Sequence, residues 1–155
     1  DFVPFVERLL AQADVEPSRI VLEMTESYFV TDLEALRATF DQLRAIGIRL
    51  AMDDFGTGYS SLGLLSQSPA DIVKIDRLFI KNIHVESFNR AFIDAVIDLC
   101  HSVDFEVTVE GVEERTELDT VRAIGADSVQ GFLVSRPLPA GQFEERFLGA
   151  DATGE

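Results

Sequence analysis

The sequence predicts an α/β fold in which parallel strands alternate with helices and curve into part of a (β/α) barrel. Three observations carry that expectation. Short β-branched runs alternate with helical patterns five times along the chain. Glycines stand where helices should stop, and each strand has a polar residue on one side of an otherwise apolar ribbon.

The elements follow in order. Phe2, Val6, Leu9 and Leu10 recur at helical spacing over residues 2–13, and Pro17 interrupts the path into a strand at Ile20, Val21 and Leu22. A second helix opens at Thr31-Asp32-Leu33-Glu34, where a hydroxyl and a carboxylate can cap each other's amides. Its stripe runs Leu33, Leu36, Phe40 and Leu43, and Gly47 ends it. Strands follow at 48–52 and 72–75, then a helix with Phe88, Phe92, Val96 and Leu99 on one face, then a strand at 105–109. A helix over 116–124 closes at Gly125, a last strand runs 128–134, and Phe143 with Phe147 marks a terminal helix. Residues 1–148 read as one domain, and 149–155 as a disordered polar tail.

Such βα repeats form either an open doubly wound sheet or a barrel. Strands of the open sheet are apolar on both faces. Here, if Leu22, Met52, Val73, Ile75 and Val109 face the helices, Glu23, Asp53, Lys74 and Glu110 all face the other way, and Gln130 follows by the same rule. Five polar side chains then share one interior near the C-terminal strand ends, where barrel enzymes keep their chemistry.

Composition narrows the function. At 155 residues with 46% hydrophobic and 26% charged residues, the chain suits one soluble globular domain. A net charge of −15 argues against a surface for nucleic acid polymers, and an anionic substrate would need metal ions to offset it. The single cysteine, Cys100, allows no internal disulfide and fits a cytoplasmic setting. No apolar run reaches the ~18 residues of a membrane span. The first residue, Asp1, falls inside a helical pattern, which reads as the start of a piece of a longer chain.

Glu23, Asp53, Asp54 and Glu110 lie on three strands and offer hard oxygen ligands suited to Mg²⁺ or Mn²⁺. Adjacent aspartates suit a pair of cations, one carboxylate bridging both. Taken singly, each acid also reads as a solvated strand-end charge. Lys74, between Val73 and Ile75, should bury its stem and set its ammonium among the acids. There it could orient a water, neutralise phosphate charge, or serve as a structural ion pair. From Asp54 the chain leaves the strand through Phe55, Gly56, Thr57, Gly58, Tyr59 and Ser60, a glycine-rich loop whose amides could approach a phosphate. Glu26 could anchor that loop. His84 and His101 lack partners at ligand spacing, Cys100 reads as a packed side chain, and the helical phenylalanines read as core. Phe132, after Gln130-Gly131, is the exception and could stack on a base.

These residues resemble the EAL domain family, which cleaves cyclic di-GMP. The resemblance rests on Leu22-Glu23-Met24-Thr25-Glu26-Ser27, the stretch from Asp53 to Leu62, Lys74-Ile75-Asp76, Glu110-Gly111-Val112-Glu113, and Gln130-Gly131-Phe132 with Arg136-Pro137-Leu138-Pro139. It covers about Ile20 to Pro139. Glu114 and Arg136 depart from the family's usual Thr and Lys.

The resemblance implies an EAL-type barrel in which Glu23 and Asp53 hold one cation, and Asp53, Asp54 and Glu110 the other. Lys74 would hold the nucleophilic water, with Glu113 and Gln130 supporting it, and hydrolysis of one phosphodiester would give linear pGpG. Glu26 would hold the loop of Phe55, Gly56, Thr57, Gly58, Tyr59 and Ser60, and Phe132, Arg136 and Pro137 would face the substrate. The family's Glu-Ala-Leu and Val-Asn strand segments are expected upstream of Asp1, and the Glu34-Ala35-Leu36 of this sequence falls in a helical pattern instead. That departure implies an incomplete barrel with its first strands absent, one that is inactive alone or paired with a second copy as a homodimer. Upstream sensor or cyclase-like domains, able to attach the protein to a membrane, are expected. A non-catalytic module that binds cyclic di-GMP or a protein is the alternative. A receiver-type domain fails, because its paired acids follow the first strand and its lysine the last.

Overall fold

The computed structural model describes residues 2–25, 33–58, 65 and 68–148, with backbone alone for 33–36. Helix α1 (Phe2–Ala13) leads through a 3-10 turn into β1 (Val21–Thr25). Then come α2 (Leu33–Ala45), β2 (Arg49–Phe55), β3 (Ile72–Ile75) and α3 (Ser87–Ser102). The chain continues through β4 (Glu106–Val109), α4 (Arg115–Ala123), β5 (Ser128–Val129) and α5 (Ala140–Phe143), whose last turn widens over Glu144–Leu148.

All five strands are parallel and lie in the order β1-β2-β3-β4-β5. A doubly wound sheet reverses its strand order at a switch point. Strands that stay in sequence order form an arc of a barrel, the arrangement expected from the polar inner face.

The outer face carries the core. Met52, Val73, Ile75, Val107 and Val109 are fully buried beneath the helices. From α2 come the buried Phe40 and Leu43, as their spacing predicts, and Gly47 at φ 96° ends that helix. Thr31 and Asp32, the expected cap, lie outside the described residues.

Two other helices bury only part of the expected stripe: Val6 and Leu10 of α1, and Phe92, Val96 and Leu99 of α3, pack on the core as expected. On α1 the buried residue is Val3, while Phe2 and Leu9 are exposed. On α3 the buried residues are Ile93, Val96, Ile97 and Cys100. Phe88 is 72% exposed, and Phe92 stacks on Phe79 with ring centroids 4.3 Å apart. Both helices are apolar enough to offer two overlapping stripes, and only docking chooses between them. Phe5, Phe143 and Phe147 are likewise exposed rather than core. Burial pushes the Cys100 thiol up to about 12, with a further push from Asp127, consistent with a packed, inert cysteine.

The last strand is also shorter than expected. It stops at Val129, and residues 131–134 turn, with the Val134 amide donating to the Gly131 carbonyl.

One clamp recurs at the N-terminal end of the sheet. Asp71, just before β3, accepts from the Leu50 amide of β2 at 2.9 Å and pairs with Arg44 of α2 at 3.1 Å. Asp127, just before β5, accepts from the Val107 amide of β4 at 2.7 Å and from His101 of α3 at 2.8 Å. Each carboxylate ties a preceding helix end to the strand beside its own.

Burial works to raise the Asp127 pKa, but His101 and the Val107 amide outweigh it and hold the carboxyl below its ordinary value of 3.8. A depressed carboxyl contributes stability above that value and loses it as pH falls through the lower folded value. Asp127→Asn is therefore expected to cost about 1–2 kcal/mol at pH 7. It should also flatten the decline in stability below about pH 4, read from urea midpoints across pH.

Candidate active site

The inner face converges on Lys74. This side chain is 5% exposed, and its ammonium lies 2.7 Å from Glu110 Oε1, 2.8 Å from Glu23 Oε2 and 3.0 Å from Asp53 Oδ1. Those acids come from β4, β1 and β2, so one lysine on the central strand gathers carboxylates from both neighbours and from the edge. Burial disfavours the ammonium, but the hydrogen bonds it donates to Glu110, Glu23 and Asp53 outweigh that cost and hold its pKa above the ordinary lysine value. Lys74 is a fixed cation and donor.

Asp54 reaches the same side by a break in the strand. Alternation alone would aim Asp53 and Asp54 to opposite faces. Met52 pairs with Val73, yet Phe55 pairs with Ile75, so Asp53 and Asp54 together oppose Lys74. This is a β-bulge, and Asp54 adopts the left-handed conformation at φ 57° within it. The bulge brings oxygens of Asp53, Asp54 and Glu110 within 4.8 Å of one another. Aspartate tolerates that backbone better than most residues, so the strained position keeps a short acidic side chain.

The acids repel one another. Burial raises the Asp54 pKa, and Asp53 and Asp76 raise it further against the pull of Lys74. Burial also raises that of Glu110, aided by Asp53 and Glu23, against the hydrogen bond from Lys74. A raised carboxyl pKa means that ionisation weakens the fold at neutral pH, an effect relieved as pH falls through the raised value. Asp53 Oδ1 is buried and, apart from the ammonium, meets no hydrogen-bond donor among the described residues. Three converging carboxylates, two of them reluctant to ionise, with one underused buried oxygen, fit a divalent cation.

Around this centre Glu110, Glu113, Gln130, Phe132 and Arg77 line a hollow of about 200 Å³. Glu113 and Gln130 are exposed and sit at the rim of this hollow. The Glu113 and Glu114 amides both donate to Glu117 Oε2, at 2.9 and 3.0 Å, which fixes the loop leaving β4. Glu117 is 6% exposed and was not legible as part of the site, although Glu114-x-x-Glu117 has the spacing of a capping box. The Arg136 guanidinium lies over the Phe132 ring, 4.3 Å from its centroid, and Pro137 lines an adjoining apolar hollow.

Of the loop residues, Phe55 is 1% exposed and packs into the core, so it anchors the loop and cannot face a ligand. Gly56 turns beneath Phe79, and Thr57 folds back, its hydroxyl and amide both donating to the Asp54 carbonyl. Gly58 is exposed, while Glu26, Tyr59 and Ser60 lie outside the described residues.

The EAL domain family matches residues 1–137. The chain belongs to the EAL domain family. It is 39% identical over 140 residues to the bifunctional diguanylate cyclase/cyclic di-GMP phosphodiesterase MucR of Pseudomonas aeruginosa, a match covering 90% of this chain and 20% of that protein. A solved structure of the MucR phosphodiesterase with cyclic di-GMP superposes with a TM-score of 0.83 at 39% identity, covering 91% of this chain and 57% of that one. Klebsiella pneumoniae BlrP1, solved with manganese and cyclic di-GMP, gives a TM-score of 0.82 at 34% identity over 87% of this chain and 34% of its own. The chain therefore spans about a fifth of its curated relative and little more than half of the MucR phosphodiesterase structure. The fold is that of EAL barrel domains, and among the described residues no helix is long and apolar enough to cross a membrane.

Proposed function

We propose that this EAL domain chain carries most of a site that hydrolyses cyclic di-GMP to linear pGpG with two divalent cations, Mg²⁺ or Mn²⁺. The observation that supports it is the gathering of Glu23, Asp53 and Glu110 on Lys74, with Asp54 turned onto the same side by the bulge. Glu23 and Asp53 would hold one cation, and Asp53, Asp54 and Glu110 the other. Bound cations lower the pKa of water and neutralise charge on phosphate.

The protein's own groups do the rest. Lys74, held protonated, is no base; an N–H released by Glu23, Asp53 or Glu110 as those acids take up cations would orient the attacking water. Glu113 and Gln130 at the rim narrow the positions that water can take. As the water oxygen bonds to phosphorus, the P–O3′ bond breaks. The 3′-oxygen takes up a proton and the new 5′-phosphate remains on the linear product. Phe132, backed by Arg136, offers an aromatic face for a guanine, with Pro137 beside it. Gly56, Thr57 and Gly58, with Tyr59 and Ser60, shape the loop over the phosphate, and Glu26 steadies it.

Strands β1 and β5 bound the five-stranded sheet, and Glu23 is half-exposed, so water reaches the inner face. The isolated chain should turn over slowly, and a second copy could cover the edges. A monodisperse monomer with full activity would overturn both points.

The decisive measurement takes the full protein that carries this chain, with Mn²⁺ and cyclic di-GMP, and follows pGpG by chromatography. Product should form, and Asp53→Ala should reduce it at least 1,000-fold, in line with loss of a shared metal ligand. Mn²⁺ should also raise the thermal midpoint of the unaltered protein and leave that of Asp53→Ala unmoved. Binding of the dinucleotide without product would favour the non-catalytic module.

A further inference from the structure

Arg77 stands at the mouth of the site. It lines the inner hollow with Glu110, Glu113, Gln130 and Phe132, and the neighbouring outer hollow with Lys81, Glu113, Glu114 and Glu117. Acids surround it on both sides, in a chain of net charge −15. Even so, the guanidinium forms no ion pair among the described residues, whereas Lys74, three residues earlier in the chain, takes three.

Packing places it there. Asp76 caps the 3-10 turn Arg77–Phe79 by accepting from the Leu78 amide at 2.8 Å, which sets the direction in which the Arg77 stem leaves the strand. That stem lies directly on Gly111, where any Cβ would overlap the Arg77 Cβ. Gly111 thus leaves room for the stem, and the turn and the glycine together steer the arginine toward the rim formed by Glu110 and Glu113. An arginine held by its stem, without an ion pair among the described residues, in a hollow lined by Glu110, Glu113, Gln130, Phe132 and two glycines, suits an incoming planar or tetrahedral oxyanion.

Cyclic di-GMP carries two phosphodiesters, and the acidic centre with its cations can take only one of them for reaction. We propose that Arg77 binds the other, non-reacting phosphodiester and so selects cyclic dinucleotides over substrates with a single phosphodiester. This rests on the hydrolytic reading of the site. In physical terms Arg77 supplies uniform binding, which lowers KM and leaves the chemical step alone.

The test compares the full protein with its Arg77→Ala, Arg77→Lys and Lys81→Ala variants on two substrates: cyclic di-GMP, and bis(p-nitrophenyl) phosphate, which has one phosphodiester. For Arg77→Ala, KM for cyclic di-GMP should rise about 10- to 100-fold with kcat within about threefold, the size expected for a charge-assisted contact. Its kcat/KM on bis(p-nitrophenyl) phosphate should not change. Arg77→Lys should recover part of the KM, and Lys81→Ala, whose charge touches only the outer hollow, should behave as the parent.

Equal losses on both substrates would overturn the proposal, since Arg77 would then serve the cation centre or the fold. An unchanged KM for cyclic di-GMP in Arg77→Ala would also overturn it, as would a matching loss in Lys81→Ala, which would mean long-range attraction instead of contact. If the unaltered protein hydrolyses neither substrate, the hydrolytic reading fails. Equilibrium binding of cyclic di-GMP to the same variants then decides the role of Arg77, and a dissociation constant unmoved by Arg77→Ala refutes it.

Discussion

Lys74→Met is expected to abolish turnover and to weaken the fold in a cation-dependent way. The methionine keeps the length of the stem and removes the one positive charge that three carboxylates share at 2.7 to 3.0 Å. Taking one partner out of a buried ion cluster typically costs about 3–5 kcal/mol. Glu23 is 48% exposed and can turn to water, so about 2–3 kcal/mol is the better expectation after screening. Added Mn²⁺ should restore much of that stability, because cations held by the acids replace the lost charge. Activity should stay down by at least 100-fold, the usual scale for losing a positioned donor. Thermal midpoints with and without Mn²⁺, set beside pGpG formation, separate the two effects. Full activity in Lys74→Met would show the lysine to be only a structural counter-charge.

Gly131→Ala is expected to be the most damaging single methyl in the described structure. A Cβ at this position would overlap the backbone nitrogen and carbonyl of Val112, a fully buried residue. Backbone cannot yield as a flexible side chain can. The Val112 amide donates to the Gln130 carbonyl at 3.1 Å, and the Leu133 amide to the Val112 carbonyl at 3.1 Å, so both bonds would be strained together. Overpacking a core costs about 1–3 kcal/mol, and here the upper end or beyond is expected. These two bonds tie the Gln130 rim to the Glu110–Glu113 rim, so activity should fall even where the protein still folds. Urea unfolding of Gly131→Ala beside Gly141→Ala checks this, since a Cβ at Gly141 meets nothing. Similar midpoints for the two variants would show that the close approach is not rigid.

Much of the site was legible because its logic is local. Period-2 alternation is a property of the strand itself, so Glu23, Asp53, Lys74 and Glu110 could be assigned to one face from spacing alone. Helix-stripe phase was harder. Phe88 and Phe92 make as good an apolar ridge as Ile93 and Ile97, and burial follows whichever ridge the neighbouring strands accept. Glu117 is marked only by its capping-box spacing from Glu114, a weak signal because its partners are backbone amides, which every residue has.

The sequence by itself determined the parallel βα order, the sharing of one face by four charged residues and the family likeness, since each depends on residue identity at fixed spacing. Tertiary structure alone decided that Asp54 joins Asp53. Strand geometry would separate adjacent side chains, and only a bulge in the pairing with β3, with Asp54 at φ 57°, turns both toward Lys74 and Glu110. It decided also that Phe55 belongs to the core, and that Arg77, a residue with no pattern of its own, stands among acids at the mouth with no ion pair among the described residues. Register and close packing are set between segments distant in sequence, so neither is written in the spacing of any one of them.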